Sequence, residues 1–495
     1  MTEEPPGGHS GCREVSVFRV VPAGCWLRES GLWVADWLGE SVGVMRNVFL
    51  RLLLGMVLMS SAAAAAGARP NVLFFFSDDQ RADSIGALGN RVARTPSLDA
   101  LVARGTVFTK AYCMGSNHGA VCMPSRAMLM TGRTLRGIDE TLKAPTWPEA
   151  FGEAGYRTFA TGKWHNGGES VRRCFREGRS VFLGGMVDPY EAKVVDFADG
   201  GKLTDPRRVT RHCVEQFADE AVSFLGSARD GEPWLCYVSF NAPHDPRRAP
   251  PEWHAKFRPE DMEVPANFLP QHPFDNGELA VRDEKLASFP RSEGEVRRHL
   301  ADYHAAIAFM DDQIGRVVAA IPAGQRENTL IVFASDHGLA IGSHGLFGKQ
   351  NLYEHSMRSP LIVAGPGVKS GQRVASLCYL LDIFPTLGAM AGVVGPEGSK
   401  GRDLSAVLRG ESNAGREYIT LNYRDVQRAV TDGRWKCIEY PVAGKVQLFD
   451  LESDPGEMVN LAESPGQAEV LAKLRALLPS VLGARKAKAA GRAGR

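Results

Sequence analysis

Cys122-Met123-Pro124-Ser125-Arg126, running on to Thr131-Gly132-Arg133, sets a thiol, a hydroxyl and a guanidinium around one proline. Pro124 fits the first turn of a helix, where its missing N–H costs nothing. The spacing predicts Cys122 just ahead of that helix, where free N–H groups and the helix dipole favour negative charge. A nucleophile, or an anion under attack, is well placed there. Asp78-Asp79 and Asp336-His337 each follow an apolar run. Three carboxylates brought together repel and need a cation. Oxygen-rich ligation favours a hard divalent ion, Ca²⁺ or Mg²⁺, over zinc. Asp78-Asp79 alone reads equally well as a solvated turn; the matching Ser335-Asp336-His337-Gly338 makes it a site. Arg126, Lys163, His165, His244 and Lys349 add cationic and proton-transferring groups. Such a set around a metal suits a tetrahedral oxyanion, sulfate or phosphate: cations offset its charge and an imidazole protonates the leaving oxygen.

These residues need elements that bring them together. Asn71 to Phe76 is a continuous apolar run, as in a strand buried on both faces, and it ends in Ser77-Asp78-Asp79. The same grammar recurs at Thr158 to Ala160 before Gly162-Lys163-Trp164-His165. It recurs again at Trp234 to Phe240 before Asn241-Ala242-Pro243-His244, and at Thr329 to Ala334 before Asp336-His337. In an open α/β sheet ligands bind beyond the carboxyl ends of the strands, so the four loops are expected on one sheet edge. Leu300, Tyr303, Ile307, Met310, Ile314, Val317 and Ile321 form the apolar stripe of a long helix that packs on the sheet. Leu361 to Val363 reads as a further strand and Leu380 to Met390 as a helix. The fold class is α/β, with a mostly parallel central sheet flanked by helices. A Gly/Pro-rich stretch near 392–401 divides a catalytic domain, 69–395, from a C-terminal subdomain, 396–484. The latter carries short strand-like runs, tight turns and a closing helix from Ala468 to Leu482. Residues 485–495 are a basic, frayed tail.

Hydrophobic content of 44% and charged content of 23% fit a soluble globular enzyme. A formal net charge of +1 excludes global attraction to nucleic acid or to a membrane surface. Met45-Arg46-Asn47 and Arg51 precede an apolar core, Leu52 to Met59, too short to span a bilayer. Ala66-Gly67-Ala68 has the form of a signal-peptidase site. Residues 45–68 are therefore expected to be a secretion signal, residues 1–44 a misassigned upstream extension, and the mature protein periplasmic or secreted, with no stable membrane insertion. Seven of the nine cysteines follow the signal, an odd number, which suggests one unpaired and reactive thiol. Cys236, inside an apolar run, reads as a buried free thiol.

Over about Pro70 to Leu461 the chain resembles the type I sulfatases of the alkaline-phosphatase-like superfamily. The resemblance rests on Cys122-x-Pro124-Ser125-Arg126-x-x-x-x-Thr131-Gly132-Arg133. It is supported by Gly162-Lys163-Trp164-His165, Ala242-Pro243-His244, Ser335-Asp336-His337-Gly338 and His344-Gly345-Leu346-Phe347-Gly348-Lys349. Leu448-Phe449-Asp450-Leu451, Asp454-Pro455 and Asn460-Leu461 resemble the family's C-terminal subdomain. The resemblance implies that a maturation enzyme oxidises Cys122 to formylglycine, whose hydrate attacks sulfur and then re-forms the aldehyde as sulfate leaves. It implies one divalent ion, Ca²⁺ ahead of Mg²⁺, held by Asp78, Asp79, Asp336, His337 and the residue made from Cys122. His337 stands where many members have asparagine. Arg126 would hold the formylglycine. Lys163, Lys349 and His244 would grip sulfate, with His244 or Lys349 near the leaving group, and His165 would contact the diol. Asn166-Gly167-Gly168 follows the Lys163 motif where Leu-Gly is usual, which bears on pocket shape.

The implied activity is hydrolysis of a sulfate monoester, on a sulfated carbohydrate as the expected substrate. The rival readings are a phosphodiesterase or phosphonate monoester hydrolase of the same superfamily, and a non-catalytic polyanion-binding protein if Cys122 is not matured. Arg172, Arg173, Arg176 and Arg179, with Arg247 and Arg248, are either contacts to acidic sugar groups or solvated surface. His118, His212, His254, His272, His299, His304 and His355 read as structural, and His344 is open between a loop residue and a site residue.

Overall fold

Strand β1, Asn71–Ser77, is buried at every position. Its side chains alternate between two cores: Val72, Phe74 and Phe76 enter one, Leu73 and Phe75 the other. An uninterrupted apolar run is what a strand covered on both faces requires. The computed structural model describes residues 69–479. The expected secretion signal, the segment before it, the basic tail and the end of the predicted closing helix lie outside the described residues.

β1 is central in a ten-stranded sheet. In chain order its other strands are β2 (Gly105–Phe108), β3 (Arg157–Lys163), β4 (Glu177–Phe182), β5 (Lys193–Phe197), β6 (Arg207–Arg208), β7 (Trp234–Ser239), β8 (Thr329–Ser335), β9 (Leu361–Ala364) and β10 (Gln372–Val374). Across the sheet the order is β10-β2-β9-β8-β1-β7-β3-β4-β5-β6. The four strands singled out in the sequence, β8, β1, β7 and β3, are contiguous and mutually parallel. Their carboxyl ends therefore share one edge. Antiparallel pairing enters only outside this quartet, as at β8–β9 and β4–β5.

Helices cover both faces. The predicted stripe forms α4, Glu293–Ala319, whose first turn is capped by Ser292 Oγ accepting from Glu295 N at 3.2 Å. Its buried side includes Leu300, Tyr303, Ile307, Met310, Ile314 and Val317; Ile321, included in the predicted stripe, lies past its end. α4 packs on α3, Cys213–Gly226, and on α1, Pro96–Arg104. The segment expected as one helix from Leu380 is a short 3-10 turn followed by α5, Ile383–Ala391. Helix α2, Cys122–Thr131, begins at Cys122 itself and stops at Gly132, which takes the left-handed conformation.

The C-terminal strands β11 (Ile419–Tyr423), β12 (Gln427–Thr431), β13 (Trp435–Tyr440) and β14 (Lys445–Asp450) form an antiparallel sheet. Its fifth strand is Gly115–Ser116, contributed by the segment just before α2. A side chain at Gly115 would bring its Cβ within 1.9 Å of Asn422 O, so only glycine permits this pairing. Helix α6, Ala468–Leu477, closes the sheet through Leu474. Buried Lys436 ties β13 to Glu354 at 2.9 Å and Glu457 at 2.8 Å.

Candidate active site

The four strand ends and α2 converge. Asp78 and Asp79 leave β1, Lys163 ends β3, His165 follows two residues on, His244 follows β7, and Asp336 and His337 follow β8. Lys349 arrives on the loop after β8. All ten residues proposed from the sequence lie in this one cluster except for Arg126, which sits beneath it. Asp78, Asp79, Asp336, His337 and Lys163 are essentially inaccessible to solvent; the solvated-turn alternative for Asp78-Asp79 is excluded.

Each carboxylate is held by the chain. Lys163 Nζ donates to Asp78 Oδ2. Lys349 Nζ donates to both Asp79 oxygens, at 2.8 and 3.0 Å. Asp336 Oδ1 accepts from the N–H groups of Asp79 and His337, both at 3.0 Å. Arg126 reaches Asp336 Oδ2 at 3.3 Å and lies 3.8 Å from Asp78 Oδ1, while its other nitrogen donates to Ser239 Oγ at 2.7 Å and Lys163 O at 3.1 Å. Arg126 thus supports the carboxylates from below, with its guanidinium over the Phe76 ring. Burial and the adjacent Asp78 push the Asp336 carboxyl well above the usual range. Burial pushes Asp78 the same way, but Lys163, His244 and Arg126 outweigh it and leave Asp78 low.

Cys122 Sγ lies 3.3 Å from Lys349 Nζ, 3.3 Å from His337 Nε2 and 3.8 Å from Asp79 Oδ1. Burial would raise its pKa; Lys349, Lys163, His337 and a hydrogen bond with His165 bring it well below the ordinary thiol value. All seven described cysteines are buried and unpaired. The odd count therefore identified nothing. What separates Cys122 is its surroundings, since burial pushes Cys113, Cys174, Cys213 and Cys437 up to about 12.

His337 Nδ1 donates to Gly338 O at 2.9 Å, which leaves Nε2 facing the cluster, 3.6 Å from both Asp79 Oδ1 and Asp336 Oδ1. Burial lowers its pKa, but Asp336 and Cys122 prevail and raise it to about 10. His244 Nδ1 donates to Asp245 O at 2.8 Å, and its Nε2 stands 3.8 Å from Asp79 Oδ2. Burial again opposes and Asp79 prevails, so its pKa is raised. Burial lowers that of His165, whose Nδ1 has no hydrogen-bond partner among the described residues. Asp79 and His165 both have positive φ, 65° and 73°. Such backbone is costly for residues other than glycine and persists where the surroundings enforce it.

A divalent cation fits this donor set. Asp78, Cys122, Asp336 and His337 have donor atoms within 4.8 Å of one another, as do Asp78, Asp79, Cys122 and His244. Asp78 Oδ1 is buried without a hydrogen-bond donor, and carboxylates supply half of the donors in each group. The cluster is a candidate metal site of the hard-cation type.

A pocket of about 420 Å³ opens over Cys122, His165, His244 and Lys349 and continues past Met186, Arg282, Asp283 and Gln350. The last four were not among the candidates, because no spacing marks a rim residue. Tyr303 was read only as part of an apolar stripe, yet its hydroxyl accepts from Arg81 N at 2.8 Å and donates to Asp79 O at 2.9 Å. Asn166, in the atypical turn, donates to Met123 O at 3.1 Å and Glu140 O at 2.7 Å, bracing the start of α2.

The arginines suggested as sugar contacts lie elsewhere. Arg247 is 7% exposed, packed on Tyr303 and bonded to His299 Nδ1 at 3.2 Å. Arg248 pairs with Asp188. Arg172 donates to Gly201 O, Arg173 pairs with Glu149, Arg176 donates to Gly152 O and Arg179 lies by Asp196. None lines the pocket. His344 stacks on Tyr353 at 3.9 Å and meets His355 at 3.2 Å, under the C-terminal sheet and away from Cys122.

Comparison with known proteins gives the family. Residues 70–393 match the family model for sulfatase, and residues 342–482 match that for the C-terminal region of N-sulphoglucosamine sulphohydrolase. An arylsulfatase of Clostridium perfringens is 27% identical over 456 residues, covering 83% of this chain and 94% of its own. A choline-sulfatase of Rhizobium meliloti is 29% identical, covering 80% and 83%. An N-acetylglucosamine-6-O-sulfatase of Bacteroides thetaiotaomicron is 25% identical, covering 83% and 85%. A solved structure bound to its substrate D-glucosamine-2-N,6-O-disulfate superposes with a TM-score of 0.70 at 22% identity, covering 83% of this chain and 96% of that one. A phosphonate monoester hydrolase of Agrobacterium radiobacter shares the fold, with a TM-score of 0.65 at 23% identity over 82% and 94% of the chains. With a family model spanning most of the described chain, the protein belongs to the sulfatase family of the alkaline-phosphatase-like superfamily, hydrolases acting on sulfuric esters.

Proposed function

We propose that this sulfatase removes a sulfate monoester from a carbohydrate, using a formylglycine made from Cys122 by a maturation enzyme and one bound Ca²⁺. The observation that carries this reading is the position of Cys122 Sγ at the pocket floor, 3.3 Å from both Lys349 Nζ and His337 Nε2 and beside the buried carboxylates. Asp78, Asp79, Asp336 and His337 would hold the ion. When bound, the ion and the hydrated aldehyde supply a Lewis acid and an oxygen nucleophile.

The chain's own residues do the rest. Lys163 and Lys349 stand at the two ends of the carboxylate cluster, where their ammonium groups bind the oxygens of the transferring group and offset its charge. His244 Nε2 faces the pocket because Nδ1 is committed to Asp245 O; protonated, it donates to the leaving oxygen. His165, low in proton affinity and lining the same pocket, would accept a proton from the hydroxyl that a formylglycine hydrate would present at position 122. Arg126 does not touch the pocket and fixes Asp336 and the end of β3. The carbohydrate reading draws on the relative that acts on N-acetylglucosamine 6-sulfate. Export to the periplasm or medium follows from the N-terminal pattern.

The test is the mass of the peptide containing Cys122, measured beside turnover. Matured protein should carry one oxygen in place of one sulfur and two hydrogens, and should hydrolyse aryl sulfate faster than aryl phosphodiester. Full activity with an unmodified thiol, or a preference for the phosphodiester, would overturn the reading.

A further inference from the structure

The rim of the pocket carries its own charge pattern. Arg282, half exposed, donates to Asp245 Oδ1 at 3.2 Å, pairs with Asp245 Oδ2 and with Asp283 Oδ1, and its Nη1 lies 2.7 Å from Met186 Sδ. Asp283 is buried and its Oδ2 accepts from Gln350 Nε2 at 2.8 Å. Arg282 is shared between two carboxylates, so it is not a free cation. Lys349, the neighbouring cation, is held by Asp79 and is taken up by the transferring sulfate. Among the residues lining the pocket no arginine or lysine stands without a carboxylate partner.

We infer that Arg282 and Asp283 are specificity-determining residues that select a neutral, hydroxyl-rich sugar bearing a single sulfate; this rests on the sulfatase reading above. A guanidinium beside a carboxylate offers donors and an acceptor side by side. Adjacent sugar hydroxyls, each both donor and acceptor, match that pair. A carboxylate has about four lone-pair sites, and Asp283 uses only some of them on Arg282 and Gln350. Met186, 49% exposed on the same rim, gives the C–H face of a sugar ring an apolar surface. A second sulfate or a uronate placed here would meet the Asp283 carboxylate and find no spare cation.

The experiment uses matured full-length protein with three probes: a panel of monosulfated hexoses and N-acetylhexosamines, their disulfated counterparts, and an aryl sulfate as reference. The wild type should favour monosulfates over disulfates by about tenfold or more in kcat/KM. Asp283→Asn and Arg282→Met should each lower the ratio of sugar to aryl kcat/KM about tenfold, mainly through KM. Asp283→Asn, which removes the carboxylate charge that faces the second sulfate, should also narrow the discrimination against disulfates. Arg282→Met, at an exposed position, guards against a folding defect at buried Asp283. A wild-type preference for disulfates, or ratios unmoved in both variants, would overturn the assignment of the rim. Failure of the wild type to hydrolyse any of the sulfates, aryl ester included, would instead overturn the underlying reading.

Discussion

Tyr303→Phe removes one oxygen from the helix that supports the site. That oxygen bridges two backbone groups, accepting from Arg81 N at 2.8 Å and donating to Asp79 O at 2.9 Å, in a place where Tyr303 is 1% exposed. Without it a donor and an acceptor lose their partner together. An orphaned buried polar group costs about 1–3 kcal/mol, so the pair should cost about 2–4 kcal/mol after partial relaxation. The effect should not remain local to α4. Asp79 is held at φ 65° and its carboxylate is gripped by Lys349, so releasing its carbonyl frees a strained residue at the heart of the carboxylate cluster. The assay is urea unfolding of wild type and variant with matched m-values, alongside kcat on an aryl sulfate. Stability should fall by about 2–4 kcal/mol and kcat by roughly tenfold or more, since small misplacements of reacting groups are costly. A variant with the unfolding midpoint and kcat of the wild type would refute the claim that this hydroxyl sets Asp79.

Three further outcomes are expected. Gly185→Ala would place a Cβ 2.4 Å from His165 Nε2; displacing that ring should lower kcat roughly tenfold to a hundredfold with a smaller change in KM, read from steady-state kinetics. Chelation should abolish sulfatase activity and Ca²⁺ restore it, and a hundredfold excess over its dissociation constant should add about 2.7 kcal/mol of stability, seen as a rise in melting temperature. His304, 7% exposed, has its pKa lowered by burial from 6.5 to about 4. The unfolded chain therefore binds the proton first, and the stability this neutral histidine contributes is present above pH 6.5 and is lost as pH falls toward 4. Between pH 7 and 5 that loss is about 2 kcal/mol, and His304→Phe should lose less stability than the wild type over the same interval by that amount.

The sequence was most legible where one physical rule sufficed. β1, β3, β7 and β8 are buried on both faces, so their runs are apolar and end abruptly in polar residues; the shared edge follows from their being parallel. Strand β3 was read short because Gly162 and Lys163 look like loop, yet Gly162 continues the unbroken register with β7 to Ser239 and the β4 side follows through a register shift. The rim at Arg282 and Asp283 was not legible, since it depends on a 3-10 turn far from any strand end in sequence. Arg247 misled for a related reason. An arginine three residues after His244 suggests the pocket, but its stem turns inward toward Tyr303 and His299. Charge in a sequence shows that a partner must exist, and only packing shows on which side.

The signature around Cys122 has a simple mechanical content once α2 is in place. Residues three and four apart lie on the same helix face, so Cys122, Ser125 and Arg126 project together toward the strand ends. Ser125 Oγ donates to the carbonyl of Asp336 at 2.7 Å, and Arg126 reaches the carboxylate of the same residue at 3.3 Å. The helix is therefore pinned at two atoms of Asp336, one turn from Cys122. Arg126 also joins Ser239 on β7 and the Lys163 carbonyl on β3, so one buried guanidinium ties three strand ends to the helix that carries Cys122. A lysine could supply the charge but not this fan of donors. The spacing of cysteine, serine and arginine is thus the spacing of a helix face that must meet one aspartate, and that fixes Cys122 relative to the carboxylates before any chemistry begins.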